Sequence, residues 1–359
     1  MRKIVVFILM AFCIVNIIGC SQNTKNIEED TLQKITENNS NKEATKKDKK
    51  NTPTEKDKTE NEVNKYINIG TGYEHVLAIY DDKTVVVWGY MALHEGEVPK
   101  NLNNVKKVTG GARHSLALKE DGTVTAWGSN RVGYPDHGLS NQSEVPKGLK
   151  NVKDISAGFC HSAALKQDGT VITWGKFVMG ITEDGYYAIL KDCWVPDNMK
   201  KIIDIASGPD HIVALKEDGT VIAWGNNEYG QCNVPEDLKN VIEVAADEYY
   251  SIALKENGDI VVWGKSNNVP EGLNDVISIS AWGCTVAGLK EDETVVVRTL
   301  EEVAFEDAVC TVPDNLTNVK EVQVGTRFVV ALRNNGTIVV WGEDHNIGFE
   351  DIMNIGSNE

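Results

Sequence analysis

The stretch His114–Gly128, HSLALKEDGTVTAWG, decides the fold because it recurs along the chain. Six further copies, three clear and three less regular, occupy residues 75–89, 161–175, 211–225, 250–264, 285–299 and 328–342. Trp-Gly closes six of the seven copies, and Val-Pro recurs between them. Successive copies start 35 to 50 residues apart. Repeats of this period indicate a solenoid, a propeller or an array.

The pattern inside each copy predicts antiparallel strands. DISAG and HSAAL, around His161, are short and apolar, and TVITWG is β-branched and alternating. Between the last two lies an Asp-Gly or Asn-Gly pair, as at Asp121-Gly122, which favours a tight hairpin in which both turn residues have positive φ. No helical period appears in the domain.

Each copy is therefore a small sheet that is marginal alone. A ring of seven buries both faces of every sheet, so we predict an all-β, seven-bladed β-propeller, with an open β-solenoid as the alternative. The motif of Tyr66–Gly70 returns at Asp351–Gly356, so either end can complete a blade across the seam.

The predicted domains are a signal peptide (1–20), a disordered tether (21–62) and the propeller (63–359). Arg2 and Lys3 precede an apolar run, residues 4–18, that is too short to span a membrane comfortably. The tether is rich in Lys, Glu, Asn and Thr and cannot bury enough apolar surface to fold.

The folded part holds the excess acidity. Residues 1–62 carry 11 basic and 10 acidic residues, which leaves 25 of the 36 basic and 43 of the 53 acidic residues for 63–359. Such a surface repels phosphate backbones, so we expect no nucleic-acid partner.

The repeated His, Ser and Asp resemble catalytic groups but predict architecture. His114 and Ser115 are neighbours on a strand and point to opposite faces, and Asp121 lies at the far turn. We expect the histidines to hold the strand starts by hydrogen bonds. Four ring-related histidines without carboxylate partners are a poor metal site, so we predict no enzyme activity, metal or cofactor.

The repeated tryptophans are expected in the core between blades. Arg298 takes the Trp position in the sixth copy, which predicts either a weak blade, a blade remodelled for a partner, or simple drift. The cysteines contain no CxxC pair, and equivalent positions in different blades lie far apart, so we expect free thiols at Cys160, Cys193, Cys232, Cys284 and Cys310.

The strand directions place the turn before each His and the loop after each Trp-Gly on one face of the ring. That face is varied and aromatic, whereas the Asp-Gly face is monotonous. Varied loops on a rigid scaffold commonly carry binding. The predicted protein-binding residues are Tyr73, Arg113, Phe159, Tyr186, Tyr187, Trp194, Asp210, Tyr229, Tyr249, Trp282 and Arg327.

Two resemblances refine these expectations. ISAGFCHSAALKQDGTVITWG and IASGPDHIVALKEDGTVIAWGNNEYGQ resemble repeats of the regulator of chromosome condensation family, and the Val-Pro spacers are most similar to its bacterial branch, which includes propeller-type β-lactamase inhibitor proteins. In those inhibitors the enzyme docks on the corresponding face through aromatic residues. The segment Ile17-Ile18-Gly19-Cys20 resembles the lipobox of bacterial lipoproteins, which implies lipid attachment at Cys20.

The sequence therefore predicts a monomeric propeller that is exported, anchored by lipid and exposed outside the cytoplasm. We expect it to bind a protein, and this binding could inhibit a hydrolase such as a β-lactamase. Membrane contact is expected through the lipid alone. Arg113, Asp210 and Arg327 depart from the aromatic pattern of the inhibitors. A surface lipoprotein that binds the cell wall or carbohydrate is the alternative function.

Overall fold

The computed structural model describes residues 65–90, 95–131, 138–181, 188–197, 199–301 and 306–343. The predicted signal peptide and tether, Cys20 and the strand motif at 351–356 lie outside these residues. Apart from one short helix, the regular elements of the described part are all strands, which fall into seven antiparallel sheets. The strands are β1 Tyr66–Thr71, β2 His75–Tyr80, β3 Val85–Gly89, β4 Val105–Gly110, β5 His114–Lys119, β6 Val124–Gly128, β7 Val152–Ala157, β8 His161–Lys166, β9 Val171–Ile181, β10 Ala188–Asp192, β11 Ile202–Ser207, β12 His211–Lys216, β13 Val221–Gly225, β14 Val241–Ala246, β15 Tyr250–Lys255, β16 Ile260–Gly264, β17 Val276–Trp282, β18 Thr285–Lys290, β19 Val295–Thr299, β20 Val319–Val324, β21 Phe328–Arg333 and β22 Ile338–Gly342.

Each blade consists of consecutive strands, and the seven blades close into a ring. The first strand of every blade contacts the first strand of the next, and β20 contacts β1. At this seam the Asn68 amide donates to both Glu321 carboxylate oxygens at 3.1 Å, and the Thr71 hydroxyl donates to the Val324 carbonyl at 2.7 Å. The prediction of a seven-bladed β-propeller is confirmed, and the described part of blade 1 begins with its own first strand, β1.

The Asp-Gly turns differ from the predicted hairpin type. In the turn around Asp121, Lys119 N–H bonds to Thr123 C=O and Gly122 N–H bonds to Lys119 C=O. Gly122 has φ +77°, whereas the φ of Asp121 is negative. The turn is therefore a type I turn followed by a glycine bulge, and the expectation of two positive-φ residues was wrong. Asp121 instead accepts hydrogen bonds from the N–H and hydroxyl of Thr123 at 2.9 and 2.6 Å.

The repeated histidines join neighbouring blades. His114 is fully buried, and its Nε2 lies 2.9 Å from the Ser162 hydroxyl of the next blade. Ser162 donates its own proton to the Gln142 carbonyl at 2.9 Å, so Nε2–H is the donor of the His–Ser bond. The same pairing joins His75 to Ser115 and His211 to Ser251.

The departures from this pairing follow from the neighbouring blade. Ile212 stands where the next blade would supply a serine to His161, whose Nε2 has no hydrogen-bond partner among the described residues. In blade 7 the ring of Phe328 takes the His position and packs in one apolar cluster with Val76 of blade 1. The predicted role in hydrogen bonding holds, but the bonds run across the blade interface.

The glycine three residues before each histidine makes this packing possible. A Cβ built on Gly158 would lie 2.1 Å from Cε1 of His161 and 2.4 Å from the Gly208 carbonyl oxygen of the next blade. Both contacts are far shorter than atoms tolerate, and one involves backbone that cannot rotate away. The glycine is therefore set by the close approach of the ring and the neighbouring blade.

The tryptophans are held by the connections between blades. Trp174 is buried and its Nε1 donates to the Gln142 carbonyl at 2.8 Å, the same carbonyl that accepts from Ser162. Trp263 bonds in the same way to the Gln231 carbonyl at 2.9 Å. The expectation that the tryptophans belong to the core is met at five positions, while Trp88 in blade 1 is half-buried.

Blade 6 departs from this scheme for a visible reason. The connection that enters it, residues 265–275, is the shortest that leads from the third strand of a blade to the next blade, and it lacks the segment that presents a carbonyl to the tryptophan. Arg298 occupies the Trp position, and its Nε donates to the Glu271 carbonyl of that short connection at 2.9 Å. Arginine reaches the carbonyl that remains, so the change in blade 6 accompanies the shortened connection.

Two additions decorate the ring. β9 extends beyond the Trp-Gly pair and forms a hairpin with β10, whose register places Lys191 opposite Phe177. A short helix, α1 Glu306–Cys310, lies in the connection between blades 6 and 7. In the part of the chain that the structure describes, no helix has the length and apolar character to cross a membrane.

The five cysteines of the described residues form no disulfide, as predicted. Cys160 and Cys284 are buried. Burial raises the pKa of both thiols well above the ordinary value, and it raises the pKa of Cys232 to about 12. Burial therefore keeps these groups as thiols, and those of Cys284 and Cys232 donate hydrogen bonds to Glu301 and to the Asn226 carbonyl.

Candidate functional site

The turn before the second strand and the loop after the third strand meet on one face in every blade. A backbone hydrogen bond joins them: Ser129 N–H donates to the Arg113 carbonyl at 2.8 Å, and Lys265 N–H donates to the Tyr249 carbonyl at 3.1 Å. The equivalent bond is present in all seven blades. We call this surface the loop face. The strand ladders beneath hold the turns and loops of this face in place. The two sets of loops share one face, as the strand directions predicted.

Two predicted residues from blades that are not neighbours come together on the loop face. The rings of Tyr73 in blade 1 and Phe159 in blade 3 meet edge to face, with centroids 6.2 Å apart. The equivalent turn residue of blade 2, which lies between these two blades, is Ala112, and its small side chain is buried. Both rings are half-buried, so each is held in place while part of it stays accessible.

A second aromatic group forms at blades 4 to 6. The rings of Tyr229 and Tyr249 lie 4.7 Å apart at their centroids. The Lys265 ammonium sits 4.9 Å from the centre of the Tyr249 ring and forms an ion pair with Glu301. A cation over a tyrosine face is attracted by the ring and restrains it. The arrangement presents a preorganised patch of aromatic and charged groups.

The remaining predicted residues divide by exposure. Trp194 is 39% exposed and packs against the buried ring of Phe177, with centroids 5.1 Å apart. Trp282 is buried, and its Nε1 lies 3.1 Å from the Thr326 hydroxyl, so it supports the face rather than offering contact area. Tyr186 and Tyr187 lie outside the described residues.

The charged members of the prediction are tied to their surroundings. The Asp210 carboxylate accepts a hydrogen bond from Val178 N–H at 3.0 Å, and burial raises its pKa to about 7. Arg327 forms an ion pair with Glu343 at 3.2 Å. Arg113 is half-buried and supplies the carbonyl that anchors the loop after blade 2.

A buried carboxylate that the sequence reasoning missed lies beneath the second aromatic group. Asp247 accepts hydrogen bonds at one oxygen from the N–H groups of Cys284, at 3.0 Å, and Glu248, at 2.5 Å. Burial raises the pKa of Asp247 to about 7. Asp247 directly follows β14, at the position that Gly158 and Gly208 occupy in blades 3 and 4. The sequence could have indicated this site, because a charged residue replaces the glycine of the other repeats.

The repeated histidines have depressed pKa values. Burial lowers the pKa of His75 to about 4 and that of His114, His161 and His211 to about 3, so all four are neutral at pH 7. Each is buried. Within the described ranges, no three His, Cys, Asp or Glu side chains converge on a position that could hold a metal ion.

The Asp-Gly face also contains residues that the sequence reasoning did not single out. Four isoleucines occupy the second position of a first strand and are 38–54% exposed: Ile67, Ile203, Ile242 and Ile277. Lys153 and Lys320 occupy the same position in blades 3 and 7, and their ammonium groups reach carbonyls of the next first strand at 3.4 and 2.9 Å. This face is therefore less uniform than its turn sequences indicated.

Known sequences relate this chain to one repeat type. Residues 105–133, 152–181 and 202–231 match the regulator of chromosome condensation (RCC1) repeat. These are the stretches from the first strand to the loop after Trp-Gly in blades 2, 3 and 4. Three of the seven blades therefore carry RCC1-type repeats, which supports an RCC1-type β-propeller. No curated protein matches the sequence.

Solved structures support the same fold. The CRINKLY WD40 ectodomain of the Arabidopsis thaliana receptor kinase ACR4 is similar with a TM-score of 0.60 and 18% identity, over 78% of this chain and 96% of that one. The ectodomain of the Physcomitrella patens receptor kinase CR4 is similar with a TM-score of 0.56 and 19% identity, over 78% of this chain and 74% of that one. At these identities the likeness concerns the fold alone.

Proposed function

We propose that the protein is an exported, lipid-anchored propeller whose loop face binds a protein partner. The observation that supports this most is the pair of aromatic groups on a rigid seven-bladed platform: Tyr73 with Phe159, and Tyr229 with Tyr249. Tyrosine and tryptophan are enriched at interface hot spots, and rings that are already ordered lose little entropy on binding.

The chemistry of the second aromatic group favours a partner with polar and basic contacts. Glu228, Glu248 and Glu301 surround Tyr229 and Tyr249, and Lys265 is already paired with Glu301. A hydrolase that presents a basic rim around an aromatic or apolar anchor would match this patch. A β-lactamase is the specific hydrolase that the family resemblance suggests.

The test is capture with matched variants on the two faces. The full chain, extracted with mild detergent, is immobilised and exposed to secreted and envelope fractions, and the retained proteins are identified and rebound in purified form. Tyr249→Ala and Phe159→Ala should each weaken rebinding at least tenfold. Tyr80→Ala, which changes a half-buried tyrosine beside the Asp82-Lys83 turn on the opposite face, should leave rebinding unchanged.

Three outcomes contradict parts of this proposal. Equal loss with Tyr80→Ala places recognition away from the loop face. Retention by insoluble peptidoglycan with no rebinding protein favours the carbohydrate function instead. Undiminished activity of purified β-lactamases at saturating propeller removes that class of partner.

The lipid anchor is tested separately at Cys20. Cleavage before this residue and lipid on its thiol would place the chain in the membrane fraction and incorporate labelled palmitate. Cys20→Ser should release the protein to the soluble exported fraction and abolish the label. Membrane retention of that variant would contradict the anchor without affecting the loop face.

A further inference from the structure

The interface between blades 7 and 1 lacks a component that the other six interfaces share. Each of those six has an apolar core that includes the Val of the Val-Pro pair in its connection and a leucine or methionine four residues later. The pairs are Val98 and Leu102, Val145 and Leu149, Val195 and Met199, Val234 and Leu238, Val269 and Leu273, and Val312 and Leu316. Among the described residues, the core between blades 7 and 1 consists of strand residues and contains no such pair.

Trp88, which belongs to this interface, is less covered than its counterparts. The tryptophans of blades 2, 3, 4, 5 and 7 are at most 8% exposed, whereas Trp88 is half-buried. Its ring meets Tyr66 edge to face, with centroids 5.6 Å apart, and within the described ranges its Nε1 has no hydrogen-bond partner. Trp224 also lacks a partner for Nε1, but it is buried. Trp88 therefore lines a groove with room for a further segment of chain.

The seam itself has the geometry of the other interfaces. Tyr66 N–H at the start of β1 donates to the Gly336 carbonyl of blade 7 at 3.0 Å, as Val152 N–H donates to the Gly122 carbonyl of blade 2 at 3.0 Å. Blades 7 and 1 are thus placed like other neighbours. The groove beside Trp88 can accept a segment that runs as the connections run elsewhere.

The connections enter their interfaces with a constant spacing. In four blades the tryptophan Nε1 donates to a carbonyl three residues before the Val of Val-Pro, as Trp263 does to Gln231 ahead of Val234. Two of these carbonyl residues follow a residue with positive φ, Asn141 at +59° and Gly230 at +82°, a conformation that glycine adopts readily. The sequence pattern is therefore a glycine or asparagine, the carbonyl residue, two further residues and an apolar β-branched residue.

The chain that follows blade 7 contains this pattern once more. Glu343 N–H donates to the Arg327 carbonyl at 2.9 Å, so the chain leaves blade 7 on the loop face as the connections leave the other blades. The sequence of Gly348–Ile352, GFEDI, corresponds to GQCNV at Gly230–Val234. Ile352 follows the end of β22 by ten residues, and Val234 follows the end of β13 by nine, so the segment has the length to reach the groove.

We infer that the C-terminal segment Gly348–Ile352, which lies outside the described residues, docks in the groove between blades 7 and 1. The Phe349 carbonyl accepts a hydrogen bond from Nε1 of Trp88, and the Ile352 side chain fills the position that Val234 occupies ahead of blade 5. Burial of the indole and of an isoleucine stabilises this interface as the connections stabilise the others. The segment is not needed as a first strand of blade 1, because β1 already supplies it.

The residues that precede β1 suit only one of the positions. Each connection places its leucine or methionine three residues before a first strand, and the residue there in blade 1 is Val63. The carbonyl residue lies 32 positions before the tryptophan, which gives Lys56 and puts Thr59 at the valine position. A hydroxyl at an apolar position is a poorer fit than the Ile352 side chain. The C-terminal segment is therefore the favoured occupant.

The test follows solvent exchange of the Trp88 indole N–H by NMR in the full chain labelled with ¹⁵N-tryptophan. Trp88→Phe identifies the signal. Removal of residues 344–359 should accelerate exchange at Trp88 at least tenfold and leave Trp127, which bonds to the Glu95 carbonyl at 2.7 Å, unchanged. A synthetic peptide of residues 344–359, added to the shortened chain at millimolar concentration, should restore the protection.

Matched substitutions in the full chain fix the register and serve if the shortened chain fails to fold. Ile352→Ser places a hydroxyl in the apolar position and should accelerate exchange at Trp88 at least tenfold. Ile355→Ser makes the same change three residues later, outside the pattern, and should leave the exchange unchanged.

Four results would overturn the inference. Equal exchange at Trp88 with and without residues 344–359 removes the segment from the groove, and equal effects of the two serine variants contradict its register. Protection that is lost on removal of residues 21–62 assigns the groove to the preceding chain, and protection that depends on protein concentration assigns it to a second copy. Phe159→Ala should leave exchange at Trp88 unchanged, so failure of this site and failure of the loop-face function give different patterns.

Discussion

His114→Phe isolates the energetic role of the repeated histidine. In the native ring His114 is fully buried and donates to Ser162, and burial lowers its pKa from 6.5 to about 3. Phenylalanine fits this slot, because Phe328 occupies the equivalent position of blade 7 over the equivalent glycine. At pH 7 the substitution removes one hydrogen bond, and Ser162 keeps its bond to Gln142, so we expect a loss of about 1 kcal/mol.

The pH dependence gives the larger effect. Because the folded pKa is depressed, the unfolded chain takes up a proton at His114 as pH falls below about 6.5, while the native protein does not until about pH 3. Stability therefore falls with falling pH in that window. Between pH 7 and pH 5 the loss through this one histidine is about 2 kcal/mol. The phenylalanine variant avoids that loss.

The assay is urea unfolding followed by far-UV circular dichroism at pH 7 and pH 5. His114→Phe should be less stable than the natural protein at pH 7 and more stable at pH 5, a relative change of about 2 kcal/mol. Carboxyl groups with raised pKa, such as Asp247, respond in the opposite direction but cancel in the comparison. Tyr250→Phe, in the same slot of blade 5 with no group that titrates in this range, is the control. If His114→Phe changed the free energy of unfolding equally at both pH values, the claim that His114 is buried in its neutral form would be refuted.

Further predictions concern the glycine, the tryptophan bonds and the thiols. Gly158→Ala should cost about 1–3 kcal/mol, because its Cβ meets His161 and the next blade; an unchanged melting temperature would contradict that packing. Trp174→Phe should lose about 1 kcal/mol more than Trp224→Phe in urea unfolding, because Trp174 bonds to the Gln142 carbonyl while Trp224 Nε1 has no partner among the described residues. Cys160 and Cys284 should resist alkylation at pH 8 in the native protein and react in urea, since burial raises their thiol pKa; rapid native labelling would show that these sites open.

The repeats carried the fold, because each copy contains its own strands, turn and core residues. Seven copies in order, each too small to stand alone, fixed the number of blades, and the strand directions fixed which loops share a face. The role of the histidines was anticipated only in part. The bond from His114 to Ser162 depends on how adjacent blades are staggered, and that stagger is a property of the ring rather than of any single copy.

The errors and omissions have the same origin. Asp-Gly allowed more than one hairpin type, and the bulge at Gly122 is chosen by the ladder around it. Trp282 looked like an exposed aromatic in a turn, but the strand β17 continues through it and buries it. The role of Arg298 depends on the short connection beside it, which lacks the carbonyl that other blades offer to tryptophan and which a single repeat does not indicate.

Closure of the ring is the claim on which both proposed surfaces depend, and a distance between spin labels tests it most directly. Labels at exposed turn positions 82 and 335, in blades 1 and 7, are compared with labels at 82 and 121, in the adjacent blades 1 and 2. The closed ring predicts similar distances for the two pairs. An open stack of seven sheets spaced about 10 Å apart would separate blades 1 and 7 by about 60 Å, and that result would contradict the propeller.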